Sequence, residues 1–343
     1  MNIVFRVDSS IKIGVGHLMR CLALADEFKR RHHKVTFICR GLRGNSNALV
    51  KQKNHKIFTL PVNIEFQSDS FYLDWLGGTQ EQDAEQTLAI MPKNTDLLII
   101  DSYALDEIWH KRLKTYVKII MVIDDLADRN FDCDVLLNQN LGAQKEEYKN
   151  KVPDDCELLL GCDYALLRSE FSKLRVRMLE KRRNTKEIKN ILVSMGGSDI
   201  KNLTYDILRA MDDGFNVTVI LGSSSPHNEM IQEYVKDKNI TVIVDSNNMP
   251  ELMLESDLAI GTGGSTSWER CCLGLPTLLF VVDDNQRRIA SNLEKIGAVK
   301  VVNNFESDFK EVWENFEAWV KMFEKSKIIC DGLGVQRVIN NVK

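Results

Sequence analysis

The sequence predicts two Rossmann-like α/β domains joined by a short basic linker and completed by a returning C-terminal helix. Three observations carry this. The chain has 343 residues, more than one hydrophobic core usually organises. Short β-branched runs alternate with longer helical patterns, as parallel strands with helical crossovers require. The alternation stops at a basic tract and then restarts. In the first half, residues 3–7, 35–39, 97–100 and 119–123 read as buried strands. Between the first two, Leu18, Cys21, Leu22, Ala25 and Phe28 recur at helical spacing, which places a helix with one apolar face just after Gly16 and His17. Residues 173–189 hold eight Lys or Arg among seventeen positions. Interrupted by Glu180 and Glu187, this tract reads as a solvated linker and not as a polyanion site. Beyond it come a strand at 191–195, a glycine turn at 196–198, a helix at 199–211, and strands at 217–221, 240–244, 258–260 and 277–282. Val312, Phe316, Trp319, Val320 and Phe323 place one long amphipathic helix over 308–326. The expected partition is a first domain 1–172, a linker 173–189, a second domain 190–306 and a helical segment 307–343.

Composition narrows the function classes. Hydrophobic residues make up 44% and charged residues 27%, which excludes disordered and low-complexity readings. Lys plus Arg total 45 against 49 Asp plus Glu, so no global field favours nucleic acid or an anionic membrane. The eight cysteines are scattered, with no Cys-x-x-Cys pair and no histidines at zinc-ligand spacing. Residues 2–7 read as a strand and not as a signal sequence, and no apolar run approaches the ~20 residues of a membrane span. The expectation is a cytoplasmic protein with reduced thiols and no membrane insertion.

Candidate chemistry lies at strand carboxyl ends, where open α/β sheets bind ligands. The first loop runs from Asp8 through Gly14 and Gly16 to His17. Its glycines let a ligand approach the backbone, and the nearby helix start would favour a neutral His17, the form a general base needs. A helix-capping histidine of purely structural purpose remains the alternative. The dinucleotide fingerprint is incomplete, because its third glycine would fall at Met19. The second loop, Gly196-Gly197-Ser198-Asp199, opens a helix whose amides could hold a diphosphate or could simply form a tight turn. The third, Gly261-Thr262-Gly263-Gly264-Ser265, is followed by Glu269, a candidate acceptor for both hydroxyls of a ribose or else a surface carboxylate. Two glycine loops in one domain favour a nucleotide diphosphate. Asp101-Ser102-Tyr103, Asp124-Asp125 and Asp283-Asp284-Asn285 also end strands. The side chains of Asp124 and Asp125 should diverge, so no metal site is expected. Cys271 and Cys272 read as core residues.

Two similar α/β domains with a returning helix resemble the GT-B architecture of nucleotide-sugar enzymes, whose site lies in the interdomain cleft. Residues 5–10 with Gly14-Val15-Gly16-His17, Asp101-Ser102-Tyr103, the stretch 195–202 and the glycine loop ending at Glu269 together resemble the hydrolases of pseudaminic acid biosynthesis, the PseG family. The resemblance spans essentially the whole chain. Its second half is shared with the related GT-B lipid II N-acetylglucosaminyltransferase. The resemblance implies hydrolysis of UDP-2,4-diacetamido-2,4,6-trideoxy-β-L-altropyranose to UDP and the free sugar, with no cofactor, by a monomer whose partner is the UDP-sugar alone. By motif, it carries over His17 as catalytic histidine, Tyr103 as a cleft tyrosine, Asn285 as an active-site asparagine and Glu269 as the ribose contact. The chain departs from the family in the acidic Asp284 beside Asn285 and in a long segment after Asn303. A good UDP leaving group needs no carboxylic acid donor, so one base activating water opposite UDP would suffice and would invert the anomeric centre. A GT-B glycosyltransferase, a hydrolysing UDP-sugar 2-epimerase and a non-enzymatic nucleotide-sugar sensor are the competing readings; the sensor leaves His17 without a role.

Overall fold

The computed structural model describes residues 1–63, 66 and 71–342. They form two compact units, Met1–Leu166 with Gly334–Lys343, and Leu167–Leu333. Unit 1 contains β1 (Asn2–Val7), α1 (Gly16–Arg30), β2 (Lys34–Arg40), α2 (Asn47–Gln52), β3 (Lys56–Leu60), α3 (Phe71–Leu76), α4 (Gln80–Ile90), β4 (Thr95–Asp101), α5 (Glu107–Leu113), β5 (Val117–Ile123), β6 (Val135–Asn138) and β7 (Glu157–Leu160). The strands form one sheet in the order β3-β2-β1-β4-β5-β6-β7, every pairing parallel. Central strands of such a sheet are covered on both faces, which explains the nearly continuous apolar runs. In β1, residues 3–7 are all buried, the charged Arg6 included. Leu18, Cys21, Leu22, Ala25 and Phe28 of α1 are buried as their spacing predicts. Lys29 and Arg30 in its last turn complement the helix C-terminus.

Unit 2 repeats the plan with α6 (Ser169–Asn184), β8 (Asn190–Ser194), α7 (Leu203–Ala210), β9 (Asn216–Leu221), α8 (Asn228–Tyr234), β10 (Ile240–Val244), α9 (Met249–Glu255), β11 (Leu258–Thr262), α10 (Ser265–Cys272), β12 (Thr277–Phe280), α11 (Arg287–Ile296), β13 (Lys300–Val301), α12 (Phe305–Glu314) and α13 (Phe316–Ser326). Its parallel sheet runs β10-β9-β8-β11-β12-β13. The chain then returns to unit 1 as α14 (Gly334–Asn341), whose Val335, Val338 and Ile339 join the core that α1 buries. Burying an aliphatic side chain of this size is worth about 1.5–3 kcal/mol, so α14 is an integral part of unit 1. A Cβ on Gly334 would lie 2.3 Å from the Ala165 carbonyl oxygen, so only glycine permits that approach.

In both sheets the strand order reverses beside the first strand, between β1 and β4 and between β8 and β11. Strand ends diverge at such a switch point and leave a crevice at their carboxyl side.

The structure departs from the sequence expectations in four places. Residues 173–189 are not a linker: most of them lie in α6, part of unit 2. Lys and Arg are good helix formers, and Phe171, Met178 and Arg182 turn inward. The buried Arg182 guanidinium donates to the carbonyls of Met253, Ser256 and Leu273 at 2.9–3.1 Å. The helix expected over 199–211 begins only at Leu203. The one expected over 308–326 is two, α12 and α13, because the Asn315 side chain accepts from the Ala318 amide and starts a new helix. The expected segment 307–343 is divided, with α12 and α13 in unit 2 and α14 in unit 1. Among the described residues, no helix is long and apolar enough to cross a membrane.

Candidate functional site

The crevice of unit 1 is walled by side chains. His17, the second residue of α1, points its Nδ1 at Asp101 Oδ1, 2.6 Å away at the end of β4. Asp101 is fully buried, and burial alone would favour its neutral form. The Arg20 guanidinium and His17 overcome that and hold the carboxyl well below the usual carboxylate range. An ionised carboxylate only accepts hydrogen bonds, so Nδ1 carries a proton and, in the neutral ring, Nε2 is the atom with the lone pair. Arg20, one turn along α1, donates through Nε and Nη2 to both oxygens of Asp101 at 2.6 and 2.7 Å, and through Nη1 to Asp125 at 3.1 Å. Tyr103 donates its hydroxyl to the other Asp125 oxygen, and the His17 ring meets the Tyr103 ring edge-on at 4.8 Å. Burial first, then Asp125, pushes the Tyr103 phenol up, so it stays protonated. Asp8, Ile13, His17, Trp75, Asp101, Ser102 and Tyr103 line a small pocket here.

Behind the pocket lies a charged network that the sequence reading missed. Asp83 of α4, fully buried, accepts from Arg6 at 2.6 and 3.0 Å, from Arg40 at 2.5 Å and from the Trp109 indole at 3.0 Å. Burial opposes its charge, yet Arg6 and Arg40 hold its carboxyl below the ordinary range. Asp8 also serves this network: Oδ1 accepts from Arg6 and from the Arg40 amide, both at 2.6 Å. Gly14 sits at φ +76°, a left-handed conformation that favours glycine, while Gly16 is the first residue of α1. Asp124 and Asp125 diverge as expected. Asp124 accepts from the amides of Leu126 and Ala127, whereas Asp125 holds Arg20 and Tyr103. No cluster of three or more His, Cys, Asp or Glu suited to a metal occurs among the described residues.

The crevice of unit 2 is built mainly from backbone. After β8, Gly196 adopts φ +89° and Gly197 lies against the loop after β9, where a Cβ on Gly222 would fall 2.0 Å from the Gly197 carbonyl oxygen. Ser198 is half-buried, but Asp199 turns inward, and its carboxylate accepts from the amides of Leu203 and Thr204 at 2.9 and 3.0 Å. It therefore occupies the N-terminus of α7 and leaves no anion site on those amides. After β11 the situation is the opposite. Gly264 precedes α10 at φ +125°, no side chain caps that helix, and the Ser265 and Thr266 amides are available to an anion, whereas the Ser267 amide donates to the Gly264 carbonyl at 3.0 Å. Gly263 is closed in by Gln286, 3.0 Å from where its Cβ would be, and Ser265 opens the helix. Arg270 braces the loop by donating to Thr262 O at 2.7 Å, and burial depresses its guanidinium to about 10.

Glu269 lies one turn along α10 and is half-buried, not a surface carboxylate. None of the hydrogen bonds described involves its carboxylate. Burial pushes its carboxyl up, offset in part by Arg168 and Arg270. Arg168, whose Nε is buried without a partner, is a neighbour that the sequence reading did not single out. Asn285 lies exposed in a short turn of 3-10 helix after β12. His17 and Tyr103 are thus together in unit 1, whereas Asn285 and Glu269 belong to unit 2.

Comparison with known proteins places this geometry. The chain is 31% identical over 300 residues to the UDP-2,4-diacetamido-2,4,6-trideoxy-beta-L-altropyranose hydrolase of Campylobacter jejuni, covering 87% of this chain and 97% of that one. The chain belongs to that hydrolase family. Its second unit also matches the glycosyltransferase family 28 C-terminal domain over residues 180–327. The same two-domain fold occurs in Acinetobacter baumannii MurG, with a TM-score of 0.65 at 15% identity over 99% of both chains. It also occurs in the UDP-GlcNAc 2-epimerase of Neisseria meningitidis, bound there to UDP-GlcNAc, with a TM-score of 0.65 at 14% identity over 100% of this chain and 99% of that one. The residues that sequence reasoning missed, Arg20, Asp83 and Arg168, are charged side chains that a linear reading assigns to solvent. For Arg20, its position one turn from His17 on the same helix was the available signal.

Proposed function

We propose that this family member hydrolyses UDP-2,4-diacetamido-2,4,6-trideoxy-β-L-altropyranose to UDP and the free sugar, in the route to pseudaminic acid, with His17 as general base and inversion at the anomeric carbon. The observation that carries the reading is the orientation of His17. Its Nδ1 is tied to a buried carboxylate, and no described group bonds Nε2, which is available to a water. In the proposed step, the water oxygen attacks the anomeric carbon and its proton passes to Nε2. The bond from that carbon to the diphosphate oxygen breaks, and UDP leaves with the electron pair. Asp101 stabilises the imidazolium that forms, as a buried carboxylate does for a catalytic histidine elsewhere. Such base assistance is worth about 100- to 10,000-fold.

Unit 2 is assigned the nucleotide. The uncapped start of α10 offers amides to the diphosphate, and their fixed dipoles would stabilise charge developing on the leaving group. Glu269, one turn along the same helix, is the acceptor proposed for the ribose hydroxyls. Gly196, Gly197 and Ser198 contribute the neighbouring loop, while Asp199 supports it by capping α7. Asn285 is proposed to contact substrate. The assay is purified protein with UDP-sugars and no acceptor, followed for UDP release and, by NMR, for the first anomer formed. Release of UDP with an inverted free sugar supports the reading. A product epimerised at C2, or no release until an acceptor is added, overturns it in favour of an epimerase or a transferase.

A further inference from the structure

We infer that Arg20 is a positioning residue that sets His17 and Tyr103 together, so that the two rings of the unit 1 pocket are aligned as one assembly. The inference rests on the hydrolase reading for its kinetic consequences but not for its geometry. Three guanidinium nitrogens of Arg20 are spent on two carboxylates: Nε and Nη2 on Asp101, Nη1 on Asp125. Each carboxylate also holds one ring: Asp125 with the oxygen that Arg20 leaves open, Asp101 with the Oδ1 that Arg20 Nη2 also engages, Nη2 itself lying 3.2 Å from His17 Nδ1. Asp101 Oδ1 accepts from His17 Nδ1, and Asp125 Oδ1 accepts from the Tyr103 hydroxyl. The guanidinium is rigid and planar, so the directions of its donors are fixed relative to one another. Rotation of either carboxylate breaks a bond to Arg20 and disturbs the other. The edge-on contact between the His17 and Tyr103 rings closes the circuit on the pocket side.

The elements that meet here give the circuit its rigidity. His17 and Arg20 share one face of α1, Asp101 ends β4, and Asp125 follows β5, the next strand in the sheet. Arg129 steadies the far side of Tyr103: its guanidinium lies 5.9 Å from the ring and donates to the Ser102 and Leu105 carbonyls. Charge follows the same design. One guanidinium against two carboxylates leaves one negative charge, which a proton arriving on His17 neutralises. A neutral ligand in place of Arg20 would leave two carboxylates facing each other, and a lysine would supply the charge without the fork.

The test uses the intact chain labelled with nitrogen-15 at histidine. The Nδ1–H of His17 should give a downfield proton signal, assigned by its absence in His17→Asn. Asp125→Asn is the decisive variant, because Asp125 does not touch His17 and is partly exposed. It should move the His17 signal and lower kcat about tenfold with KM changed less than twofold. Arg20→Lys should lose the signal and lower kcat about 100-fold. Tyr103→Phe combined with Asp125→Asn should cost little more than either alone. An unmoved His17 signal in Asp125→Asn, or effects of the pair that multiply, would overturn the assembly. If wild-type protein releases no UDP while the signals respond as stated, the hydrolase reading fails and the positioning role stands. If Arg20→Lys does not fold, Asp125→Asn still decides.

Discussion

The two crevices occupy equivalent places on nearly the same strand order, yet they are made of different material. In unit 1 the switch point is filled by charged side chains in mutual contact: His17, Arg20, Asp101, Asp125 and, behind them, Arg6, Arg40 and Asp83. In unit 2 the same place is lined by glycines, an uncapped helix start and one carboxylate without a hydrogen bond among those described. The fold therefore decides where a ligand approaches, and the side chains decide whether the crevice moves protons or holds a fixed charge. A preorganised base needs carboxylates already paired. A binding loop needs donors and acceptors left open for the ligand.

Changing one residue in each crevice should break the symmetry of the comparison in opposite ways. The largest effect is expected for His17→Asn: turnover falls about 100-fold or more while UDP affinity stays near that of the wild type. Initial rates of UDP release, with calorimetric titration of UDP, check both halves. In unit 2, Glu269→Ala should act on binding, weakening UDP about ten- to a hundredfold, with kcat much less affected than KM. The same titration decides it, and unchanged affinity would place the nucleotide elsewhere.

On stability, the carboxylates of the two crevices give pH dependences of opposite sign. Asp101 has its folded pKa depressed, so its contribution is present above the unfolded value of about 3.9 and is lost as pH falls through the folded value. Glu269 has its folded pKa raised, so its contribution favours folding below about pH 4.3 and is lost as pH rises through the folded value. Denaturant titrations across pH should show Asp101→Asn less sensitive to acid and less stable at neutrality, on the order of 3–5 kcal/mol for breaking a buried pair. Glu269→Gln should gain stability only above the unfolded carboxyl value of about 4.3. The smallest expected effect is none: if helix amides serve the diphosphate as proposed, exhaustive chelation should leave the rate unchanged. A loss restored by magnesium or manganese would transfer that role to a metal.

What the sequence showed depended on the range of each interaction. β1 and α1 were legible because apolar periodicity is local, and the His17 loop because its glycines adjoin it. The partners of His17 were not, since Asp101 lies 84 residues away and the pairing depends on β1 and β4 being neighbours. Asp199 was misjudged as part of an anion site because the sequence does not say whether a helix start is capped from within. The basic tract misled for a related reason: composition suggested solvent, whereas Arg182 is buried on three backbone carbonyls at the ends of two helices, α9 and α10. Glu269 adjoins a glycine loop already in the sequence, but only the fold shows that it is half-buried.

The return of α14 to unit 1 gives the order of synthesis a mechanical meaning. All of unit 2 is translated between β7 and the helix that covers α1, so a growing chain has the whole sheet of unit 1 long before it has the side chains that seal one side of it. Until Val335, Val338 and Ile339 emerge, Leu18, Cys21 and Leu22 lack part of their cover. The core of unit 1 is thus completed only after unit 2 has been made. A chain halted before Gly334 should be protease-sensitive around α1 even where unit 2 is already resistant, which limited proteolysis of stalled chains would show.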